Sequence, residues 1–438
     1  MKPKKVKNLL LSEIRTVANN SDKYCYEPQR NFSRNRKLSF ETVIKSIIGM
    51  ESKSLTNELV DIFNAAPDMP SVSAFIQQRS KIKPDALKSV FNGFTDSIMK
   101  EVNGELPILA VDGSDIQIAT NPNDKMSYFP GANGQKPYNL LHLNALYNLK
   151  KHLYIDTVIQ GRMNWNEHSA LQEMVDRSSI NTAIVIADRG YESYNNMAHI
   201  QEKGWFFLIR IKDGKTGIKD GLNLPDVDQF DVKISLNLTR KQTKEMKELL
   251  KDKNKYKFVP HSTSFDYLPE TSSKADPVKL YKLNFRIVRF KITDDSYETV
   301  LTNLDSDLYS PEKLKALYAM RWGIETSFRD LKYTIGMLNF HSKKMVCIQQ
   351  EIYAHLIMYN FTEMITSHVD IEKKQRKYTY KANFSVATHM CRLFYHGKTT
   401  PPNLETIIAR NIIPIRNDRH RKRHLTVKVF HGFLYRVA

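Results

Sequence analysis

The sequence predicts an α/β fold built on a mixed sheet, and two observations carry that reading. Two short, wholly apolar runs, Ile108-Leu-Ala-Val and Ala183-Ile-Val-Ile-Ala, each end on an acid, at Asp112 and Asp188. A continuous apolar run of that length is the pattern of a strand buried on both faces. Around these runs, helical periodicities alternate with further strand-like segments, which is the order of an α/β chain.

The elements between the two acids follow from their spacing. Leu141, Leu143, Ala145 and Tyr147 alternate with His142, Asn144 and Asn148, which predicts a half-buried strand. Residues 152–159 predict its neighbour, residues 167–175 a helix, and a second helix begins near Tyr191. Residues 205–211 are a last strand, with Trp205 in the core. Three strands in meander, then helix, strand, helix and strand, fit an α/β core with a mixed sheet, as in ribonuclease-H-like folds. Its first part covers residues 105–212, by pattern and analogy.

Residues 1–104 read as a helical N-terminal domain. Phe40, Val43, Ile44, Ile47 and Ile48 recur at helical spacing, as do Leu55, Leu59, Ile62 and Phe63. Pro70-Ser-Val-Ser is a helix start and Pro84 opens another helix. Arg30, Arg34, Arg36 and Lys37 form one basic stretch, and Arg79, Lys81 and Lys83 lie between two helices. Short helices flanked by basic loops suit DNA binding. A helical cap with a solvated basic face is the alternative.

Residues 213–305 interrupt the scheme as a mainly β insertion, with a charged helical stretch over 240–253 and strand-like runs over 283–292 and 297–301. Helical patterns resume over 306–370, the second part of the core. The C-terminal region, 371–438, is helical and basic, with fifteen Lys and Arg against three acids, and is densest over 416–424. That run reads either as a solvated tail or as a DNA contact.

Charge narrows the function. The chain of 438 residues carries a net charge of +19, which favours a polyanionic partner, because Lys and Arg release counterions from a phosphate backbone. No run of eighteen apolar residues is present, so no membrane span is expected. Residues 9–11 are too short for the apolar region of a signal peptide. Cys25, Cys347 and Cys391 lie far apart, match no zinc spacing and read as structural thiols in a reducing cytoplasm.

One helix carries the chemistry. Ser310-Pro-Glu is a strong start, with a cap, a proline at the first helical position and an acid that complements the dipole. The spacing predicts a single helix to about Tyr333, with Gly336 just beyond. On it, Tyr318, Arg321, Glu325 and Lys332 fall within an arc of roughly 60° at about 100° per residue. Ordinary surface pairing also gives such a stripe, since Arg321 and Glu325 are an i, i+4 pair worth a few tenths of a kcal/mol. Trp322 and Phe328 read as packing residues.

The spacing Tyr-x2-Arg-x3-Glu-x6-Lys, here Tyr318-AM-Arg321-WGI-Glu325-TSFRDL-Lys332, resembles the signature of bacterial insertion-sequence transposases of family four. Ala-Val-Asp112-Gly-Ser, Ala-Asp188-Arg-Gly-Tyr, the β insertion and Phe340-His-Ser-Lys-Lys resemble that family as well, over roughly residues 40–435. The resemblance implies that Asp112, Asp188 and Glu325 are catalytic and bind metal. It also implies that Tyr318, Arg321 and Lys332 contact phosphates of the transposon end. The expected cofactor is Mg²⁺, as two ions about 3.5–4 Å apart, with Mn²⁺ as a substitute. The expected partners are double-stranded DNA, as transposon ends and target, and a second copy of the chain in a synaptic homodimer. The expected location is the bacterial cytoplasm, at the nucleoid when bound to DNA.

Neighbouring acids are weighed against this set. Asp115, three residues past Asp112, points to the opposite face of a continuing strand. Glu192 and Asp330 are off the motif positions, and Glu167 and His168 sit at a helix start, where capping or a supporting role are both open. The other functions considered are a ribonuclease-H-fold nuclease, a junction resolvase and a non-enzymatic DNA-binding descendant.

Overall fold

The structure, a computed structural model, describes all residues except 35, 103, 132, 133, 135, 213–216, 270–279, 372–377 and 416–438. The densest basic run, over 416–424, therefore lies outside the described residues. Among the described residues, six helices precede the sheet: α1 (Pro3–Ala18), α2 (Ser21–Tyr24), α3 (Phe40–Gly49), α4 (Leu55–Ile62), α5 (Val72–Arg79) and α6 (Asp85–Glu101). Ser39, Ser54 and Ser71 cap α3, α4 and α5, each accepting a backbone N–H three residues on.

The expected strand order follows: β1 (Ile108–Ile118), β2 (Tyr128–Phe129), β3 (Tyr138–Asn148), β4 (Leu153–Gln160), α7 (Glu167–Asp176), β5 (Ile184–Ala187), α8 (Tyr194–Glu202) and β6 (Phe206–Arg210). Strand β3 pairs antiparallel with β1 and β4, while β1, β5 and β6 run parallel. Then come β7 (Phe230–Thr239), α9 (Lys244–Leu249), β8 (Tyr256–Phe258), β9 (Tyr281–Thr293) and β10 (Ser296–Thr302). Strand β10 pairs with β6, and β9 and β7 follow outward, so this later segment extends the same sheet to ten strands. The last elements are α10 (Pro311–Ala319), α11 (Trp322–Arg329), α12 (Met345–Thr366), β11 (Thr379–Ala382), α13 (Phe384–Tyr395), α14 (Pro401–Arg410) and β12 (Ile412–Ile415).

Two apolar clusters sandwich the sheet. Ile108, Ala110, Ile184 and Ile186 face one cluster, shared with α1, α3, α6, α11 and α12. Leu109, Val111, Val185 and Ala187 face the other, against α7 and α8. This alternation explains the unbroken apolar runs. Each fully buried Leu, Ile or Phe contributes about 1.5–3 kcal/mol.

Five expectations are corrected. Strand β3 is buried along nearly its whole length rather than on one face. Its polar residues are paired: Asn144 Nδ2 donates to Gln160 Oε1 at 3.1 Å, and Asn139 Nδ2 to Ser127 Oγ at 2.8 Å. The helix expected over 310–333 is broken. Arg321 N donates to Tyr318 O at 3.0 Å and Gly323 N to Met320 O at 2.9 Å, which are i→i−3 bonds, and Asp330–Ile335 is a π-helical stretch ending on Gly336 at φ 105°. The charged stretch 240–253 is helical only in α9, and Arg240 is buried, donating to Thr263 O at 2.8 Å. Trp322 is 47% exposed, whereas Trp205 is in the core as expected. Arg79 is not a surface contact: it is 2% exposed, 2.8 Å from Glu351 Oε1, and donates to Gln350 Oε1 at 2.8 Å.

Candidate active site

Strand register brings the two aspartates together. Ala110 is level with Ile186 in the parallel β1–β5 pair; Asp112 lies two residues past Ala110 on β1, and Asp188 two residues past Ile186, just beyond the end of β5. Asp112, two residues past Ala110 on β1, projects to the face covered by α11, whose Ile324 and Phe328 share a cluster with Ala110 and Ile186. Gly323 lets the helix close in, for a Cβ there would stand 2.9 Å from Leu149 Cδ2. Glu325 is carried one turn further along α11.

Local hydrogen bonds orient the acids. Asp112 Oδ1 accepts the Gly113 N–H at 2.9 Å. Asp188 caps the short 3-10 turn Arg189–Tyr191, its Oδ1 accepting the Gly190 N–H at 2.6 Å. Arg321 reaches between the other two acids: Nη2 donates to Glu325 Oε1 at 2.9 Å, and Nη1 lies 4.0 Å from Asp112 Oδ2.

The three acids feel one another. Burial raises the Asp112 carboxyl to a pKa of about 6, against the Gly113 N–H and Arg321, with the charges of Asp188 and Glu325 adding to the rise. Mutual repulsion of that kind is what a divalent cation relieves, and carboxylate oxygens are the donors that Mg²⁺ and Mn²⁺ prefer. Among the described residues, no group of three or more His, Cys, Asp or Glu side chains is placed to hold a metal ion.

Two other signature residues sit beside the acids. Arg321 is 5% exposed and lies over the Trp322 ring at 4.8 Å and the Tyr318 ring at 5.9 Å. The tightened turn before α11 explains the second contact, since three residues per 3-10 turn line Arg321 up with Tyr318. Tyr318 Oη and Arg321 Nε are buried and have no hydrogen-bond partner among the described residues. Lys332 is half-buried in the π-helical stretch, so the wider turn there, not an α-helical stagger, sets its direction.

The remaining acids sort out by contact. Asp115 pairs with His142 on the other side of β1, as the strand period requires. Glu192 accepts the backbone N–H groups of Lys212 at 3.1 Å and Ile218 at 2.8 Å, which is a loop-building role. Asn166, not Glu167, caps α7. Sequence reasoning did not find the ring of His142, which touches both Asp115 and Glu167. Its one visible signal is a histidine in a strand position directly across from an acid.

A family profile described as a transposase DDE domain matches residues 103–361, more than half of the chain. The chain belongs to the transposase DDE domain family. Membership makes it a DDE transposase, an enzyme of DNA cleavage and strand transfer that works with divalent metal ions. The matched segment runs from just before β1 into α12 and contains all six residues of the expected site. The chain is also similar to the transposase InsG for insertion sequence element IS4 of Escherichia coli (strain K12). The two are 22% identical over 344 residues, covering 75% of this chain and 70% of that one. Among solved structures it is similar to the cryo-EM structure of a piggyBac transposase synaptic complex with hairpin DNA. That likeness has 12% identity and a TM-score of 0.44, over 98% of this chain and 88% of the other.

Proposed function

We propose that this DDE transposase uses Asp112, Asp188 and Glu325 as its catalytic, metal-binding acids on a ribonuclease-H-like core, and that Tyr318, Arg321 and Lys332 grip the DNA. The observation that carries the reading is that Asp112 on β1 and Asp188 just past the end of the parallel neighbour β5 lie close enough, with Glu325 of α11, for both charges to act on the Asp112 carboxyl. Mg²⁺ is the ion this donor set favours, with Mn²⁺ as a substitute. When bound, the ions supply an activated oxygen nucleophile and a stabilised leaving oxygen.

The residues of the chain do the rest. Arg321 offers a planar fork matched to phosphate oxygens, and Tyr318 Oη is a further donor held in a buried position beside it. In the first step a water oxygen bonds to phosphorus and the phosphodiester releases the 3′-oxygen, which takes a proton. In strand transfer that 3′-hydroxyl bonds to a target phosphorus, and the target strand gives up its own 3′-oxygen. The substrates are the terminal inverted repeats of an insertion sequence and a target duplex, handled by a homodimer in the bacterial cytoplasm.

The division of labour along the chain is part of the same reading: a helical DNA-binding domain (1–104), the core in two parts (105–212 and 306–370), an insertion (213–305) and a basic C-terminal region (371–438). Arg30, Arg34, Arg36 and Lys81 line one concave surface, which supports a DNA contact there. Replacing Asp188 with Asn tests the assignment. Cleavage of end-containing DNA is lost while binding of the ends is kept; a variant that still cuts overturns the metal assignment.

A further inference from the structure

An exposed aromatic ledge stands beside the strand that carries Asp112. Trp165, in the turn between β4 and α7, is 41% exposed. Met163, two residues before it, and Met126, whose carbonyl packs against Gly161, are more exposed still. Strand pairing brings these two loops together. β1 takes one edge of β3, and β2 and β4 follow each other along the other, β2 at Tyr138 and Asn139 and β4 from His142 onward. Phe129 of β2 stacks on Tyr138 at 5.1 Å with planes 6° apart, and meets Trp165 edge-on at 6.4 Å. The exposed Arg162 lies over the Phe129 ring at 5.3 Å and donates from Nη1 to Tyr128 O at 3.1 Å.

The indole is held from within. The buried ring of His142 stacks on it with centroids 4.4 Å apart and 28° between the planes. That imidazole is itself fixed: Nδ1 is hydrogen-bonded to Asp115 Oδ1 at 2.8 Å, and Nε2 lies 2.9 Å from Glu167 Oε1. Gly113 leaves no slack beneath it, since a Cβ there would stand 2.1 Å from His142 Nε2. Trp165 is therefore one imidazole away from the β1 backbone next to Asp112.

Roofing a buried histidine is the plain role of such a tryptophan, and it accounts for one face of the indole. It does not account for two methionines and an arginine on the solvent side. A cluster of exposed apolar side chains marks a contact surface, and charge selects the contact. Arg162 and Lys125 are exposed there, while Asp124 accepts from Ser127 Oγ at 2.6 Å. The whole chain carries +19. Flat π faces beside cations are how proteins hold unpaired nucleic-acid strands. Inside a duplex both faces of a base are covered by its neighbours, so only an unpaired base can lie on the indole.

We propose that Trp165 is a stacking platform for an unpaired base of the DNA strand held at the cleavage site, with Arg162 supplying charge beside the phosphate of that nucleotide. The inference rests on the reading of Asp112 as part of that site.

The test changes protein and DNA together. The probe is the end of the element as a duplex with a short unpaired tail beyond the cut. Each tail nucleotide in turn is made abasic, which removes a base and keeps its phosphate. Binding to the full-length protein is followed by fluorescence anisotropy without divalent ions. In the wild type, one abasic position weakens binding roughly fivefold or more, the worth of one base–aromatic stack. Trp165→Ala weakens the intact tail by a similar factor, and the abasic change then costs nothing further. Trp165→Phe keeps most of the affinity. Losses that simply multiply mean that base and indole do not meet, and they overturn the proposal. An equal loss for Trp165→Ala on a blunt duplex also overturns it, because the ledge then binds paired DNA. If Trp165→Ala melts early, Trp165→Leu keeps an apolar roof on His142 without a π face. Normal melting with the abasic sensitivity gone supports the proposal, and normal melting with the sensitivity kept overturns it. Absent coupling, where Asp112→Asn has lost cleavage, overturns this proposal alone. Cleavage kept in Asp112→Asn overturns the reading of the site and the placement of the base with it.

Discussion

Arg321 donates to Glu325 at 2.9 Å, a bond between two residues one helical turn apart that both belong to the signature. The same guanidinium reaches toward Asp112, so in the DNA-free protein it serves as an internal counter-ion for the acids. A phosphate that engages the fork competes for it. Arg321→Ala is expected to weaken binding of cleaved ends roughly 10–100-fold, the worth of a charge-assisted hydrogen bond. It should also reduce the salt dependence of binding by about one phosphate contact. Titrating labelled end DNA at several salt concentrations measures both, and an unchanged salt slope removes Arg321 from the DNA contact. Arg321→Lys should recover only part of the loss, because an ammonium has no planar fork.

Acidity at Asp112 gives a pH window. Its folded pKa of about 6 lies above the ordinary 3.8. Between those values the folded carboxyl holds a proton that the unfolded one has lost, so its contribution to stability falls as pH rises from about 4 to about 6. On the proposed reading of Asp112 as a metal-binding acid, Mn²⁺ affinity should drop as pH falls below about 6, with about half a proton released on binding near that pH and up to one proton below it. Calorimetry in buffers of different ionisation enthalpy counts the proton. Asp112→Asn should abolish that release.

A second, deeper carboxylate behaves in the opposite sense. Glu351 is buried against Arg79 and accepts from His341 N at 3.0 Å. Burial alone raises its pKa, but Arg79 and His341 overcome it and bring it down to about 2. The stabilisation is full above about 4.5 and is lost as pH falls toward 2. Glu351→Gln leaves Arg79 buried without its counter-charge and should cost about 3–5 kcal/mol at pH 7. Urea melts at pH 7 and pH 3 check this; the variant should lose less than the wild type on acidification.

Gly113 is replaceable only at a cost. Its Cβ would meet His142, whose ring is hydrogen-bonded to Asp115, lies 2.9 Å from Glu167 and stacks on Trp165. Gly113→Ala should destabilise by about 1–3 kcal/mol, as overpacking does. A variant that melts like the wild type shows that the ring moves freely.

Trp322 offers a contrast between sequence and structure. A buried tryptophan costs about 3–5 kcal/mol when cut to alanine. Trp322 is 47% exposed and lies beside Arg321, so Trp322→Ala should cost under about 1 kcal/mol while weakening end binding. Thermal melting together with a DNA titration separates the two effects.

Much of this was legible in the chain. The apolar runs ending on Asp112 and Asp188 found β1 and β5, and Ser310 with Pro311 found the start of α10. What stayed hidden depends on contacts between distant segments. Asn144 read as solvent-facing because a polar side chain carries no sign of the partner that satisfies it. Arg79 read as basic surface because Glu351 lies far along the sequence. The break before α11 escaped because periodicity assumes a uniform helix, and a tight turn followed by a π stretch keeps the residue spacing while changing the directions.

Strand β10 enters the sheet beside β6 and thereby hands the chain on to α10 and α11. The consequence is one of timing during synthesis. A ribosome that has made both aspartates must still make strands β7 to β10 and dock them on the sheet edge before Glu325 can arrive. On the proposed reading of Glu325, a growing or truncated chain is therefore an incomplete blade. On that reading, the power to cut DNA is withheld until Glu325 has been made and placed.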